Sequence, residues 1–190
     1  MDFDSHLAWR VRELRKTRGY TLEQLAELSG VSRSMISLIE REETSPTAAV
    51  LNKLADALGV TLASLFSGEM RSASELPIAR SADQQSWTDP ASGYVRRHLS
   101  PPNSKSPIDL IEVTFPPGET VAFESVTRSF VTHQQVWMLE GEMRITVGED
   151  TWHLLTGDCL AMALGQRIVF SNPTRQPARY VLAMTTTASI

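Results

Sequence analysis

Seven basic side chains stand in the first 41 residues. Arg10, Arg12, Arg15, Lys16 and Arg18 fall within nine positions, and Arg33 and Arg41 follow. Cations clustered in this way neutralise phosphates and release the counterions condensed on a nucleic acid. The chain as a whole carries a formal charge of -4. Glu23, Glu27, Glu40, Glu42 and Glu43 are interspersed with the basic residues. The N-terminal part is therefore not basic overall, which predicts a local basic patch, modest non-specific binding and affinity helped by dimerisation. The residues that do covalent or metal chemistry are sparse. A single cysteine, Cys159, excludes an internal disulfide framework and a Cys-rich zinc site. It follows a hairpin turn with no basic neighbour in sequence, which favours an inert thiol over a sensor. His98, His133 and His153 stand alone, and a lone histidine in a strand is usually a satisfied surface or core group.

The strongest pattern that could position such cations is Thr21 to Glu42. Leu22, Leu25, Ala26 and Leu28 recur at helical spacing, Ser29-Gly30-Val31-Ser32 interrupts them, and Met35, Ile36 and Ile39 resume. Two short helices joined by a Gly-containing turn form a helix-turn-helix, whose second helix enters the DNA major groove. Around it, a first helix is expected over Ser5 to Thr17, with Leu7, Val11 and Leu14 on one stripe and Gly19 after its end. Thr21 with Gln24 is a capping-box pattern, and Ser32 is placed to cap the next helix. Ser45-Pro46-Thr47 starts a fourth helix lined by Val50, Leu51, Leu54, Ala55 and Leu58, and Thr61 to Phe66 makes a last short turn.

From Ser67 to Glu75 the composition is small, polar and aperiodic, as in a linker or a surface loop. The expected division is 1–67, a linker at 68–75, and 76–190. Beyond the linker the texture is β. Runs at Tyr94–Leu99, Ile108–Phe115, Thr120–Phe123, Val136–Leu139, Met143–Val147, Trp152–Leu155, Arg167–Phe170 and Tyr180–Thr186 are separated by turn signals, suggesting a β-sandwich or small barrel. With 190 residues, 42% apolar and 21% charged, the composition is that of a soluble globular protein. No apolar run approaches the ~20 residues of a membrane span. The acidic N-terminus lacks the layout of a secretion signal, so a cytoplasmic location is expected.

Residues 7 to 66 closely resemble the DNA-binding domain of Cro/C1-type (XRE-family) regulators. The match is carried by Leu14-Arg15-Lys16, Thr21-Leu22, Leu25-Ala26, Gly30-Val31-Ser32, Ile36-Ser37, Ile39-Glu40-Arg41, Ser45-Pro46-Thr47, Leu54-Ala55, Leu58-Gly59-Val60 and Leu65-Phe66. The resemblance implies a five-helix, lambda-repressor-like fold. Ile36 and Ile39 then lie on the buried stripe of the recognition helix, and Arg33, Ser34, Ser37 and Leu38 look into the groove. Arg33 is the candidate for a bidentate contact to guanine, or else a solvated surface arginine. Met35 either touches a thymine methyl or packs inside. Gln24, Ser32, Arg41, Thr44 and Thr47 are candidates for phosphate or register contacts. Glu40 is expected in an internal ion pair or cap. Double-stranded operator DNA is the implied partner. A homodimer reading a palindrome, with half-sites about one helical turn apart, is the implied assembly.

The region Leu76 to Thr187 resembles a cupin, a jelly-roll β-barrel, through Pro117-Gly118, Val136 to Glu142, Leu155 with Gly157-Asp158, and Val169 to Pro173. A metal-binding cupin supplies His-x-His, then Glu, then a further His. Depending on the register of the loop, Glu124 and Val126 or Thr127 and Ser129 occupy the paired-His places. Gln134 stands at the Glu position and Ile168 at the last His. No metal or other cofactor is therefore expected. The emptied interior suggests a sensor of a small amino acid, amine or carboxylate. Glu124, Arg128, His133, Gln134, Met138, Ile168, Phe170 and Tyr180 are the candidate contacts, with Val136, Arg167 and Met184 nearby. Two rivals remain open: an iron-dependent oxygenase or epoxidase sharing this two-domain layout, and a barrel that only dimerises.

Overall fold

In the computed structural model, residues 3–60, 62–66, 77–101, 106–124 and 130–188 are described. The chain divides into two compact units, Met1–Glu75 and Leu76–Ile190. The linker positions 68–75, Arg128 and the alternative ligand positions Val126, Thr127 and Ser129 lie outside the described residues.

The N-terminal unit consists of α1 (Phe3–Thr17), α2 (Leu22–Ser29), α3 (Arg33–Glu40), α4 (Ala48–Ala57) and α5 (Leu62–Phe66). The starts of α2, α3 and α4 have the chemistry their sequence promises. The Thr21 hydroxyl accepts from the Gln24 N–H at 3.1 Å while the Gln24 side chain accepts from the Thr21 N–H at 2.8 Å, closing a capping box. Ser32 caps α3 through the Met35 N–H at 3.2 Å, and Thr47 caps α4 through the Val50 N–H at 3.4 Å. Gly30 ends α2 in the left-handed region (φ 66°) and donates its N–H to the Ala26 carbonyl, so the chain turns at once into α3. Leu7, Val11, Leu25, Ile36, Ile39, Leu51, Leu54, Leu58 and Leu65 are fully buried and form the core. Arg15 and Glu40 meet in a two-point pair at 2.6 and 2.7 Å, with the third arm of the guanidinium on the Tyr20 carbonyl. Glu40 thus makes the internal ion pair expected of it, and joins α1 to α3.

Among the described residues the C-terminal unit has ten strands: β1 (Ser86–Thr88), β2 (Val95–His98), β3 (Ile108–Phe115), β4 (Thr120–Phe123), β5 (Phe130–Glu140), β6 (Glu142–Val147), β7 (Asp150–Leu155), β8 (Cys159–Ala163), β9 (Ile168–Ser171) and β10 (Ala178–Ala188). A single 3-10 turn, Ser81–Asp83, precedes them. The strands form two antiparallel sheets rather than one closed barrel, ordered β1-β2-β3-β10-β5-β8 and β4-β9-β6-β7. Strands β3 to β10 run in jelly-roll order, and β1 and β2 extend one sheet. Phe170 of β9 stacks on Tyr180 of β10 with centroids 6.0 Å apart, which brings the two sheets face to face.

Strand register settles which side chains look inward, because alternate residues point to opposite faces. One inner row runs Trp87, Arg96, Val113, Tyr180, Met138. The next is His98, Ile111, Leu182, Val136, Leu160, and a third is Asp109, Met184, Gln134, Met162. The opposing sheet contributes Val121, Met143, Ile145, Leu154, Ile168 and Phe170, all buried. One hairpin is packed without slack. Gly141, between β5 and β6, has φ 78°, and a Cβ there would stand 2.9 Å from the Pro177 carbonyl oxygen and 3.1 Å from the Ala178 Cα.

Candidate nucleic-acid interface and jelly-roll interior

The recognition helix α3 buries one side and presents another. Ile36 and Ile39 are in the core, while Ser32, Arg33 and Ser34 are exposed and Met35, Ser37 and Leu38 are half-buried. The first turn of α3 is therefore the most accessible part of the helix. Ser34 Oγ lies 3.1 Å from Ser32 Oγ, so the capping hydroxyl and the candidate contact share a hydrogen bond. The Arg33 guanidinium pairs with Glu23, on α2 directly after the capped turn, and both side chains are about three-fifths exposed. The backbone N–H of Glu23 and then the Arg33 charge hold that carboxyl below its usual range, so the pair is ionised at neutral pH. An exposed pair of this kind is readily exchanged for a base edge or phosphate.

The other proposed DNA contacts lie around this face with their own local bonds. Gln24 is exposed but its side chain closes the capping box. Arg41, just after α3, pairs with Glu43 at 3.1 Å and is exposed. Thr44 and Thr47 are half-buried, and the Thr47 hydroxyl is the α4 cap. Among the clustered cations of α1, Arg15 is committed to Glu40, whereas Arg12, Lys16 and Arg18 are exposed. Charge counting along the sequence thus overstates the patch by Arg15.

In the jelly roll, Gln134, Met138, Ile168, Phe170 and Tyr180 are all buried and face the interior. His133 does not join them. It is exposed on the outer row with Thr185 and Ala163, because strand alternation sends it opposite to Gln134. Glu124 is exposed at the end of β4 and pairs with Arg167 at 3.2 Å, on the surface rather than inside. Gln134 and Ile168 occupy two positions where a metal-binding cupin needs a carboxylate and an imidazole, and a neutral amide with a hydrocarbon does not hold an Fe, Mn or Zn ion. Among the described residues no cluster of three His, Cys, Asp or Glu side chains could hold one elsewhere.

The sequence reading missed Tyr94, Arg96 and His98. The run Tyr-Val-Arg-Arg-His-Leu was recognised as a strand without its inner face being chosen. Tyr94 and Arg96 are 3% and 5% exposed, and Arg97 points outward to Glu112 at 2.6 Å. The usable signal was two adjacent arginines in a strand, since alternation obliges one of them to face inward. Burial first and the Arg96 charge second hold the His98 imidazole down at about 3, so it is neutral. Burial pushes the Tyr94 phenol up to about 12 and the Tyr180 phenol higher still.

A capped helix, a left-handed glycine turn and a second helix with an exposed basic start make a helix-turn-helix in the N-terminal unit, and the C-terminal unit is a jelly roll. The helix-turn-helix family model matches residues 11–65. Over 181 residues, 94% of each chain, the protein is 29% identical to the HTH-type transcriptional regulator PuuR of Escherichia coli (strain K12). The crystal structure of an HTH_3 family transcriptional regulator from Vibrio cholerae superposes with a TM-score of 0.75 at 24% identity, covering 96% of each chain. A crystal structure of FeII HppE matches with a TM-score of 0.50 at 15% identity over 96% of this chain and 100% of its own, a likeness of fold alone.

Proposed function

We propose that this protein is a sequence-specific DNA-binding transcriptional regulator whose jelly-roll domain receives a small effector. The observation that carries the reading is the exposed first turn of α3, with Arg33 beside the capping Ser32. The end-to-end similarity to a named regulator supports it. The rival oxygenase reading needs ligands that Gln134 and Ile168 do not supply. Such a regulator works with operator DNA in the cytoplasm, and no described helix is long and apolar enough to cross a membrane.

A homodimer on a palindromic operator completes the proposal, because one recognition helix reads only a few base pairs. The outer face of the larger sheet supports it. Ile108, Leu110 and Trp137 are 49%, 39% and 52% exposed there, beside Val181, Ala161, Ala163 and Ala183. Beside the Arg97–Glu112 ion pair and the polar Gln135 and His133 of the same outer rows, these small and apolar side chains suit self-association.

Selection from a random duplex pool tests DNA reading. Enrichment of an inverted repeat is expected, with Arg33→Ala losing discrimination between that site and random duplex while its circular dichroism is unchanged. A pool that never converges overturns the reading. Stoichiometric iron with O₂-dependent turnover in purified protein would replace it with the oxygenase.

A further inference from the structure

The following inference rests on the DNA-reading role proposed above and concerns how α3 is aimed. Among the described residues Glu42 is the only residue other than glycine with a positive φ, at 63°. It stands just past α3, where the Glu42 N–H donates to the Ile39 carbonyl at 3.0 Å and the Glu43 N–H to the Leu38 carbonyl at 2.9 Å. This double closure calls for a left-handed residue at that position, and glycine supplies one without steric cost. A glutamate is strained there, because its Cβ crowds the following carbonyl.

What the glutamate supplies in return is a carboxylate. Its Oε2 accepts the Ser5 hydroxyl at 2.6 Å. Ser5 lies in the first turn of α1, so the carboxylate also stands near the positive end of that helix. The bond is exposed, and exposed ties of this kind contribute little net stability. Strain at Glu42 offsets that small gain, so stability does not account for the residue. Its placement does. Glu40, two residues earlier, holds Arg15 at two points, at 2.6 and 2.7 Å. Ser5 and Arg15 are about 15 Å apart along α1, at ~1.5 Å of rise per residue. The end of α3 is thus tied to both halves of α1. A tie at Arg15 alone leaves α3 a pivot, and the tie at Ser5 removes it.

We propose that Glu42 is a positioning residue for DNA reading, kept in the left-handed conformation so that its tie to Ser5 sets the angle at which α3 crosses α1. Arg33 stands at the opposite end of α3 from this tie. A helix of this length spans about 12 Å, so a swing of ~10° about the Arg15–Glu40 pair displaces Arg33 by about 2 Å. A bidentate contact to a base edge tolerates far less than that, because its donor–acceptor distances lie in a narrow range. Phosphate contacts carry no sequence information and are open to any cation nearby. The tie therefore bears on discrimination between sequences rather than on affinity for duplex DNA in general.

Anisotropy titration of the full chain tests this with two probes, the duplex enriched from the random pool and a scrambled duplex of the same composition, alongside thermal melting. Glu42→Gly relieves the strain and removes the tie. It is expected to leave the melting temperature unchanged or higher, while the ratio of the two affinities falls about three- to tenfold. Loss of a negative charge beside phosphates would by itself tighten both duplexes alike and leave the ratio as it was. Ser5→Ala is expected to lower the ratio to the same extent, and Ser5→Thr, which keeps the hydroxyl, to preserve it. The double variant of Ser5→Ala with Glu42→Gly is expected to lose no more than the larger single loss, since both changes cut one tie. A ratio unchanged in Glu42→Gly overturns the positioning role and leaves DNA reading intact. Losses that add in the double variant, or a ratio that falls only in step with the melting temperature, overturn it as well. A pool that enriches no duplex overturns DNA reading and this inference together.

Discussion

In the proposed DNA complex Arg33 would meet the groove with a competitor already in place, since its guanidinium rests on Glu23. The consequence is a trade between charge and order. Glu23 repels phosphates near the groove, yet it holds the arginine near the start of α3, where a guanine edge would meet it. Glu23→Gln is expected to tighten binding to random duplex and to steepen the fall of log K with log salt, since one more cation is free for phosphate. The same substitution should narrow the gap between the selected site and random duplex. Arg33→Ala acts in the opposite sense on affinity. It should cost about 1–3 kcal/mol of discrimination at one base pair and leave the others unchanged. Anisotropy titrations at several salt concentrations measure both, and an unchanged salt slope in Glu23→Gln would show that the pair does not govern Arg33.

Among the elements, the turn between α2 and α3 is limited by backbone conformation rather than by packing. Gly30 is left-handed with nothing within 4 Å of where a Cβ would lie, so a side chain there meets no clash and only conformational strain. Gly30→Ala is expected to destabilise the N-terminal unit by roughly 1–2 kcal/mol without altering its core, as read from thermal melting of the full chain. A loss well beyond that would mean the turn does more than reverse the chain. This turn was legible in the sequence because apolar spacing, cap residues and glycine all agreed. The strands were legible in the same proportion as their alternation. β3 and β4 match the expected runs end to end, whereas β5 begins at Phe130, six residues before the expected Val136. Its inward positions Thr132 and Gln134 are polar, so the period-2 apolar signal starts only at Val136. β8, Cys-Leu-Ala-Met-Ala, escaped notice because its outward residues are small and apolar, which erases the alternation. β1 is three residues with one buried tryptophan, too short to show a period.

For the whole molecule, the proposed dimer is the state on which palindrome reading would depend. Trp137 sits in an outer row between Val181 and Cys159, half of its surface open. Trp137→Glu puts a charge in that apolar face and is expected to yield monomers by light scattering, with operator affinity falling steeply on dilution while the fold persists. A variant that stays dimeric moves the interface elsewhere. The outer face and the interior were unequally legible. The apolar strand around Val136 announced a packed sheet. The inward arginine at 96 stayed hidden because a single residue of register decides between it and Arg97.

Gly141 shows how much of the jelly-roll unit is already decided. Its missing side chain lets the β5–β6 corner lie directly on the backbone where β10 begins, one residue from the register shift between Arg179 and Tyr180. Tyr180 in turn sets the gap between the sheets by stacking on Phe170. That corner works as a fixed gauge: any side chain at 141 would push the tyrosine inward or the strand away. If the interior takes an effector as proposed, its tuning would fall to the opposite rim, around Asp109, Phe123 and Met162. Relatives with other ligands should differ at that rim and keep the corner as it is.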